Sequence, residues 1–195
     1  MCIRDRELTW RGNVVAVISD GTRVLGLGDI GAAAAMPVME GKSALYKKFG
    51  NIDAIPIVIN SKDKDEIVHT IQLLEKSFAG INLEDFSSPK CYDIEDELKA
   101  TMNIPVFHDD QHGTAIAALA AVIGALRLTK KKIDEVKVVI SGAGAAGTAI
   151  ARLLLEDGVR AENMTILNSK GILYDNGKLN RIQTVSYTHL RAHET

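Results

Sequence analysis

Short apolar runs and helically patterned stretches alternate along nearly the whole chain, and this alternation restricts it to an α/β architecture built on a parallel sheet. The runs Val14–Ile18, Ala54–Ile59, Gly80–Leu83 and Pro105–His108 have the length and apolar content of strands buried on both faces, each followed by turn or acidic residues. Between them, Ala32–Phe49, Asp65–Phe78, Ile94–Met102 and the alanine-rich Gly113–Leu128 read as helices, the last apolar enough to be buried nearly all round. A solvated break, Lys130-Lys-Lys132, precedes Val136–Ser141, a glycine run, Thr148–Glu156 and Met164–Leu167, which give one more strand, helix and strand before a turn signal at Asp175-Asn-Gly177. Residues 7–130 thus form one domain and 131–183 the start of a second. Residues 1–6 and 184–195 continue neither periodicity and read as non-native scars.

Composition excludes several classes. With 46% hydrophobic residues, 25% charged residues and a net charge of -2 in 195 residues, the chain is neither collagen-like nor disordered, and it offers no basic surface for nucleic acid. The apolar run Ala115–Leu126 is shorter than the ~20 residues that cross a bilayer, so no membrane span is expected. Two cysteines, Cys2 and Cys91, make no disulfide framework and suit a reducing cytoplasm; Cys91 reads as a partly buried thiol.

The sharpest local signal is Gly142-Ala-Gly-Ala-Ala-Gly147, a G-x-G-x-x-G between a strand and a helix start. Gly142 permits the tight turn, Gly144 a close backbone approach to pyrophosphate and Gly147 close packing of helix on strand, so Gly142, Ala143, Gly144, Ala145, Ala146 and Gly147 are candidate cofactor-binding residues. At the end of the next strand, where NAD sites place a carboxylate, stand Asn168, Ser169 and Lys170. These favour NADP over NAD, an ordinary strand-end turn being the equal alternative. The second match, Gly26-Leu-Gly-Asp-Ile-Gly31, would put Asp29 against a pyrophosphate and reads instead as a structural or substrate-side turn.

Acidic residues fall just beyond two strands: Glu84 and Asp85 after the third, Asp109 and Asp110 after the fourth. Ligands of open α/β folds bind at such carboxyl ends. Converging there, these oxygens suit a hard cation such as Mg²⁺ or Mn²⁺, and singly they are helix caps or solvated turns. His108 and His112 are four apart, but one ends a strand, so they read as hydrogen-bonding residues rather than zinc ligands. Lys42 is either a surface charge or a base near those carboxylates, and Arg23 either a surface charge or a clamp for a substrate carboxylate.

The segments Ser19-Asp-Gly-Thr-Arg-Val-Leu-Gly-Leu-Gly-Asp-Ile-Gly31, Pro37-Val-Met-Glu-Gly-Lys42, Ile81-Asn-Leu-Glu-Asp85, Phe107-His-Asp-Asp-Gln-His-Gly-Thr-Ala115 and Gly142–Gly147, taken in that order, resemble bacterial malic enzymes. The resemblance spans about residues 12 to 183. It implies oxidation of malate by NAD or NADP and decarboxylation to pyruvate with Mg²⁺ or Mn²⁺, in a cytoplasmic homodimer. It also implies Lys42 as general base with Asp109 as its partner, Glu84, Asp85 and Asp110 as metal ligands, and Arg23 on a substrate carboxylate. Positions 42, 84, 85, 109 and 110 are then expected to meet in one cleft. The family's proton-donating tyrosine has no match upstream of Val14, and Tyr46, Tyr92 and Tyr174 are not its equivalents by motif, so little turnover is expected from these 195 residues alone. Two other readings fit fewer residues: a nucleotide-binding or regulatory module in which the acids are caps, and a metal-independent Rossmann dehydrogenase.

Overall fold

In the computed structural model, which describes residues 3–173, the strand β1 (Val14–Ser19) is buried along almost its whole length. It lies inside a four-stranded sheet of order β2-β1-β3-β4, with β2 (Asp53–Val58), β3 (Gly80–Leu83) and β4 (Val106–His108), and every pairing is parallel. Parallel neighbours need crossovers, and α2 (Gly31–Gly50), α3 (Lys64–Leu73) and α4 (Lys90–Thr101) supply them. The outer position of β2 explains how Pro56, which has no N–H for a ladder, is accommodated in a strand. Asp63 begins α3 by accepting a hydrogen bond from the Glu66 amide at 2.9 Å. Ile18, Met39, Ile67, Ile71, Leu83, Ile94 and Leu98 fill the core without measurable exposure.

The chain divides into two units, Met1–Asp109 and Asp110–Thr195. This boundary lies earlier than the solvated lysines at 130–132, because the long alanine-rich helix packs with the second unit. A π turn, Asp109–Gly113, leads into that helix, α5 (Thr114–Thr129), followed by β5 (Val138–Ser141), α6 (Ala145–Glu156), β6 (Met164–Asn168) and the two-residue β7 (Gly171–Ile172). The pairing β5–β6 is parallel and β6–β7 antiparallel. Ile140, Ala151, Leu154 and Ile166 form this unit's core, with Leu119 and Val122 of α5 packed against it.

Three expectations change. Only Ala115 of α5 is buried, although α6 packs along it and Leu119 and Val122 rest partly buried on the second unit's core. The continuous helix Asp109–Thr129, 21 residues long, also reaches membrane-spanning length and composition, which the shorter run 115–126 did not suggest. Residues 3–8 form a helix, α1 (Ile3–Leu8), although residues 1–6 showed no helical pattern. The turn at 175–177 and the segment 184–195 lie outside the described residues.

A Cβ on Gly147 would sit 1.8 Å from the Gly142 carbonyl oxygen, whereas one on Gly124 in α5 would meet nothing within 4 Å. Gly147→Ala is therefore expected to cost on the order of 1–3 kcal/mol or more, read as lost amide-exchange protection in β5 and β6. Gly124→Ala should be neutral or stabilising by up to about 1 kcal/mol. Equal stability of the two variants would contradict the packing.

Candidate active site

Register assembles the site. In the β3–β4 pairing Leu83 faces His108, so the next residues, Glu84 and Asp109, leave the sheet side by side at its carboxyl edge. From α2, Lys42 places its Nζ 2.6 Å from Glu84 Oε1 and 2.6 Å from Asp109 Oδ2. Asn82, one strand alternation before Glu84, donates to Glu84 Oε2 at 2.8 Å. Burial pulls the Lys42 ammonium down, but hydrogen bonds to Asp109 and Glu84 outweigh it and hold the amine charged well above its ordinary range. Burial pushes the Glu84 carboxyl up to about 7, with Lys42 opposing the rise.

Tyr46, one helical turn beyond Lys42, lies in the same electrostatic field: burial raises its hydroxyl, and the charges of Asp109 and Glu84 raise it further. Its motif context gave no reason to single it out, although the i, i+4 spacing from Lys42 puts both on one helix face. Asp85 is buried in the left-handed region at φ 58°, and its carbonyl accepts from the Arg23 amide at 2.9 Å. The Arg23 side chain is exposed. His108 is fully buried at the end of β4, and His112 lies in the π turn.

Among the described residues no three of His, Cys, Asp and Glu stand together as a ready-made metal site. Glu84 is engaged by Lys42 and Asn82, and Asp110 opens the second unit. Of the five residues expected in one cleft, the structure joins Lys42, Glu84 and Asp109.

In the second unit the glycine loop has the form a dinucleotide requires. Gly142 adopts φ 122° and donates to the Leu167 carbonyl at 2.9 Å, tying the turn to β6. Gly144 precedes α6, whose first amides carry no side-chain cap, and a Cβ on Gly142 or Gly144 would enter open space. Uncapped amides beside an open, Cβ-free ledge fit a pyrophosphate. Ala143 is buried behind the loop, and Ala145 and Ala146 form the first turn of the helix. Asn168 Oδ1 accepts from the Lys170 amide at 2.8 Å, closing a strand-end turn, while Ser169 and Lys170 are exposed.

Fold and site thus define a two-unit α/β protein with a charged lysine–carboxylate centre in one unit and a dinucleotide-type loop in the other. The family described as "Malic enzyme, N-terminal domain" matches residues 6–65, and "Malic enzyme, NAD binding domain" matches residues 111–191. The second match extends into the segment read as a scar. A bifunctional malic/malolactic enzyme of Bacillus subtilis is 54% identical over 169 residues, 87% of this chain and 41% of its own length. An NADP-dependent malic enzyme of Haemophilus influenzae is 56% identical over 168 residues, 86% of this chain and 22% of its length. The crystal structure of an NAD-dependent malic enzyme from Thermotoga maritima superposes with a TM-score of 0.89 at 49% identity, covering 95% of this chain and 49% of that one. The chain belongs to the malic enzyme family, and it spans less than half the length of these relatives.

Because Glu84 titrates near 7 in the folded state against 4.5 as an ordinary glutamate, its contribution to stability is full below pH 4.5 and is lost as pH rises through 7. Urea unfolding of the metal-free chain should show wild type losing on the order of 1–3 kcal/mol relative to Glu84→Gln between pH 5 and 8. Parallel pH profiles for the two proteins would refute the buried, raised carboxyl.

Proposed function

We propose that this chain is the lysine-bearing and nucleotide-loop portion of a malic enzyme that oxidises malate with NAD or NADP and decarboxylates the product to pyruvate. The observation that carries the proposal is the position of Lys42 Nζ between Glu84 and Asp109, 2.6 Å from each, at the carboxyl edge of a parallel sheet. An amine held there is placed to exchange a proton with a substrate hydroxyl. The relatives' names supply the substrate and both cofactors.

In the proposed reaction Arg23 grips a malate carboxylate with its forked guanidinium. Bound NAD(P)⁺ supplies the hydride acceptor. As hydride leaves carbon 2, the hydroxyl proton passes to the neutral amine of Lys42, and Asp109 steadies the ammonium that results. The carbon 3–carbon 4 bond then breaks, carbon dioxide leaves, and the bonding pair becomes the enolate of pyruvate, which takes a proton at carbon 3. The resting ammonium must first shed its proton, so the pairing with Glu84 and Asp109 that holds it charged must loosen when substrate binds. Glu84, Asp85 and Asp110 are the residues proposed to hold a divalent cation, which when bound would polarise the carbonyl that forms at carbon 2.

NADP is the preferred cofactor in this proposal, on the exposed Ser169 and Lys170 and the absence of a carboxylate at the end of β6. A cytoplasmic homodimer belongs to the same reading, and sedimentation of the intact protein tests the dimer.

The test is segment exchange: residues 7–183 replace the matching segment of the Bacillus subtilis relative. The hybrid should reduce NAD⁺ or NADP⁺ with malate. Lys42→Ala in the hybrid should lower kcat by about 10²–10⁴-fold, and Lys42→Arg should not restore it, because a guanidinium does not release its proton. A folded hybrid that turns over normally without Lys42 would defeat the proposal.

A further inference from the structure

Asp20 carries no role in the reaction above, yet it is a buried charge with several partners at this edge of the sheet. Its side chain has no exposure, and it pairs with Lys90, the first residue of α4, whose side chain is 17% exposed. Lys90 Nζ also donates to the Lys62 carbonyl at 3.3 Å. The other carboxylate oxygen, Oδ1, accepts from the Thr22 amide at 3.1 Å and from the Thr22 hydroxyl at 2.6 Å. Thr22 Oγ1 in turn accepts from the Ser87 amide at 3.0 Å, and the adjacent Arg23 amide donates to Asp85 at 2.9 Å.

Two loops are thereby joined at neighbouring points: residues 20–23, which end in Arg23, and residues 84–87, which begin with Glu84. The first loop is also tied to the start of α2, since the Ile30 and Gly31 amides both donate to the Gly21 carbonyl, at 3.0 and 3.2 Å. Gly21 leaves no slack there: it has φ 69°, and a Cβ would lie 2.4 Å from the Gly31 oxygen. The elements that carry Lys42, Glu84 and Arg23 therefore share one anchor.

A buried ion pair is a poor way to gain stability, because desolvation offsets most of its attraction, and an apolar pair of similar volume is often as stable or more so. A carboxylate accepting three defined donors does give geometric definition. We propose that Asp20 is a positioning residue, which through Lys90 and Thr22 holds the Arg23 loop in register with the Glu84–Asp85 loop so that substrate meets a preset site. This rests on the role assigned to Arg23 above.

Amide hydrogen exchange on the full 195-residue chain tests the anchor without reference to catalysis. Asp20→Ala should speed exchange at Thr22, Arg23 and Ser87 by at least about tenfold, while Ala16, Val17 and Ile81 in the sheet change by less than about threefold. Lys90→Met should give the same local pattern and Lys90→Arg should largely restore protection, so the outcome can be read even if Asp20→Ala does not fold. Uniform acceleration throughout β1 and β3, or no acceleration, would overturn the proposal. In the hybrid enzyme, Asp20→Asn should raise the malate KM by about tenfold more than it lowers kcat, the signature of misplaced binding rather than lost chemistry. An active hybrid with unchanged KM would overturn the positioning role while leaving the family's reaction in place. An inactive hybrid would count against the functional reading, and the exchange data would still decide the anchor.

Discussion

Two carboxylates emerging from adjacent parallel strands repel each other unless a cation stands between them, and the rest of the first unit depends on how that problem is met. The pairing of Leu83 with His108 makes Glu84 and Asp109 neighbours whatever their chemistry. Lys42 reaches both from α2 and converts a repulsion into a three-residue ion pair. A lone ammonium half-buried there would be disfavoured, as would either acid alone, so each charge is tolerable only with the others in place. The edge that is costliest to build is consequently the one with reactive potential.

Around this centre the chain spends hydrogen bonds on loops rather than on regular structure. Asn82 orients Glu84, the Glu84 amide donates to the Ile18 carbonyl at 2.9 Å, and the Asp20–Lys90 pair anchors the turn leading to Arg23. Loops fixed from several sides let a rigid sheet present side chains at defined positions. The second unit solves a different problem with different means: Gly142, Gly144 and Gly147 remove side chains where backbone must turn, stay open and pack.

Much of this was legible from residue order. All six principal strands fall within two residues of their apolar runs, although burial on both faces, expected of the first four, holds for β1 and β3 and not for the outer β2, which has no fully buried residue. The glycine loop was legible because it needs strand, glycines and helix in immediate succession. Lys42, Glu84 and Asp109 were named, but their convergence came with the family resemblance, since 42 and 67 residues separate Lys42 from its partners and no local pattern encodes sheet register. Asp20 was hidden in an ordinary Asp-Gly turn, and Lys90 in a surface-like stretch, for the same reason. The nearly all-round burial expected of Gly113–Leu128 failed because apolar composition reports what a helix can be packed against, not what the described residues supply. Carboxylates at strand ends are available to a lysine as readily as to a metal, so residue order alone does not say which of the two Glu84 meets.

The charge state of Lys42 is where these physical claims meet. Selective ¹⁵N labelling of lysine with detection of Nζ gives its titration in the intact chain. The Lys42 ammonium should stay protonated well above 10.5, the ordinary lysine value, and Asp109→Asn should bring its midpoint down. A Lys42 with a midpoint at or below 10.5, indifferent to Asp109, would contradict the ion-paired centre.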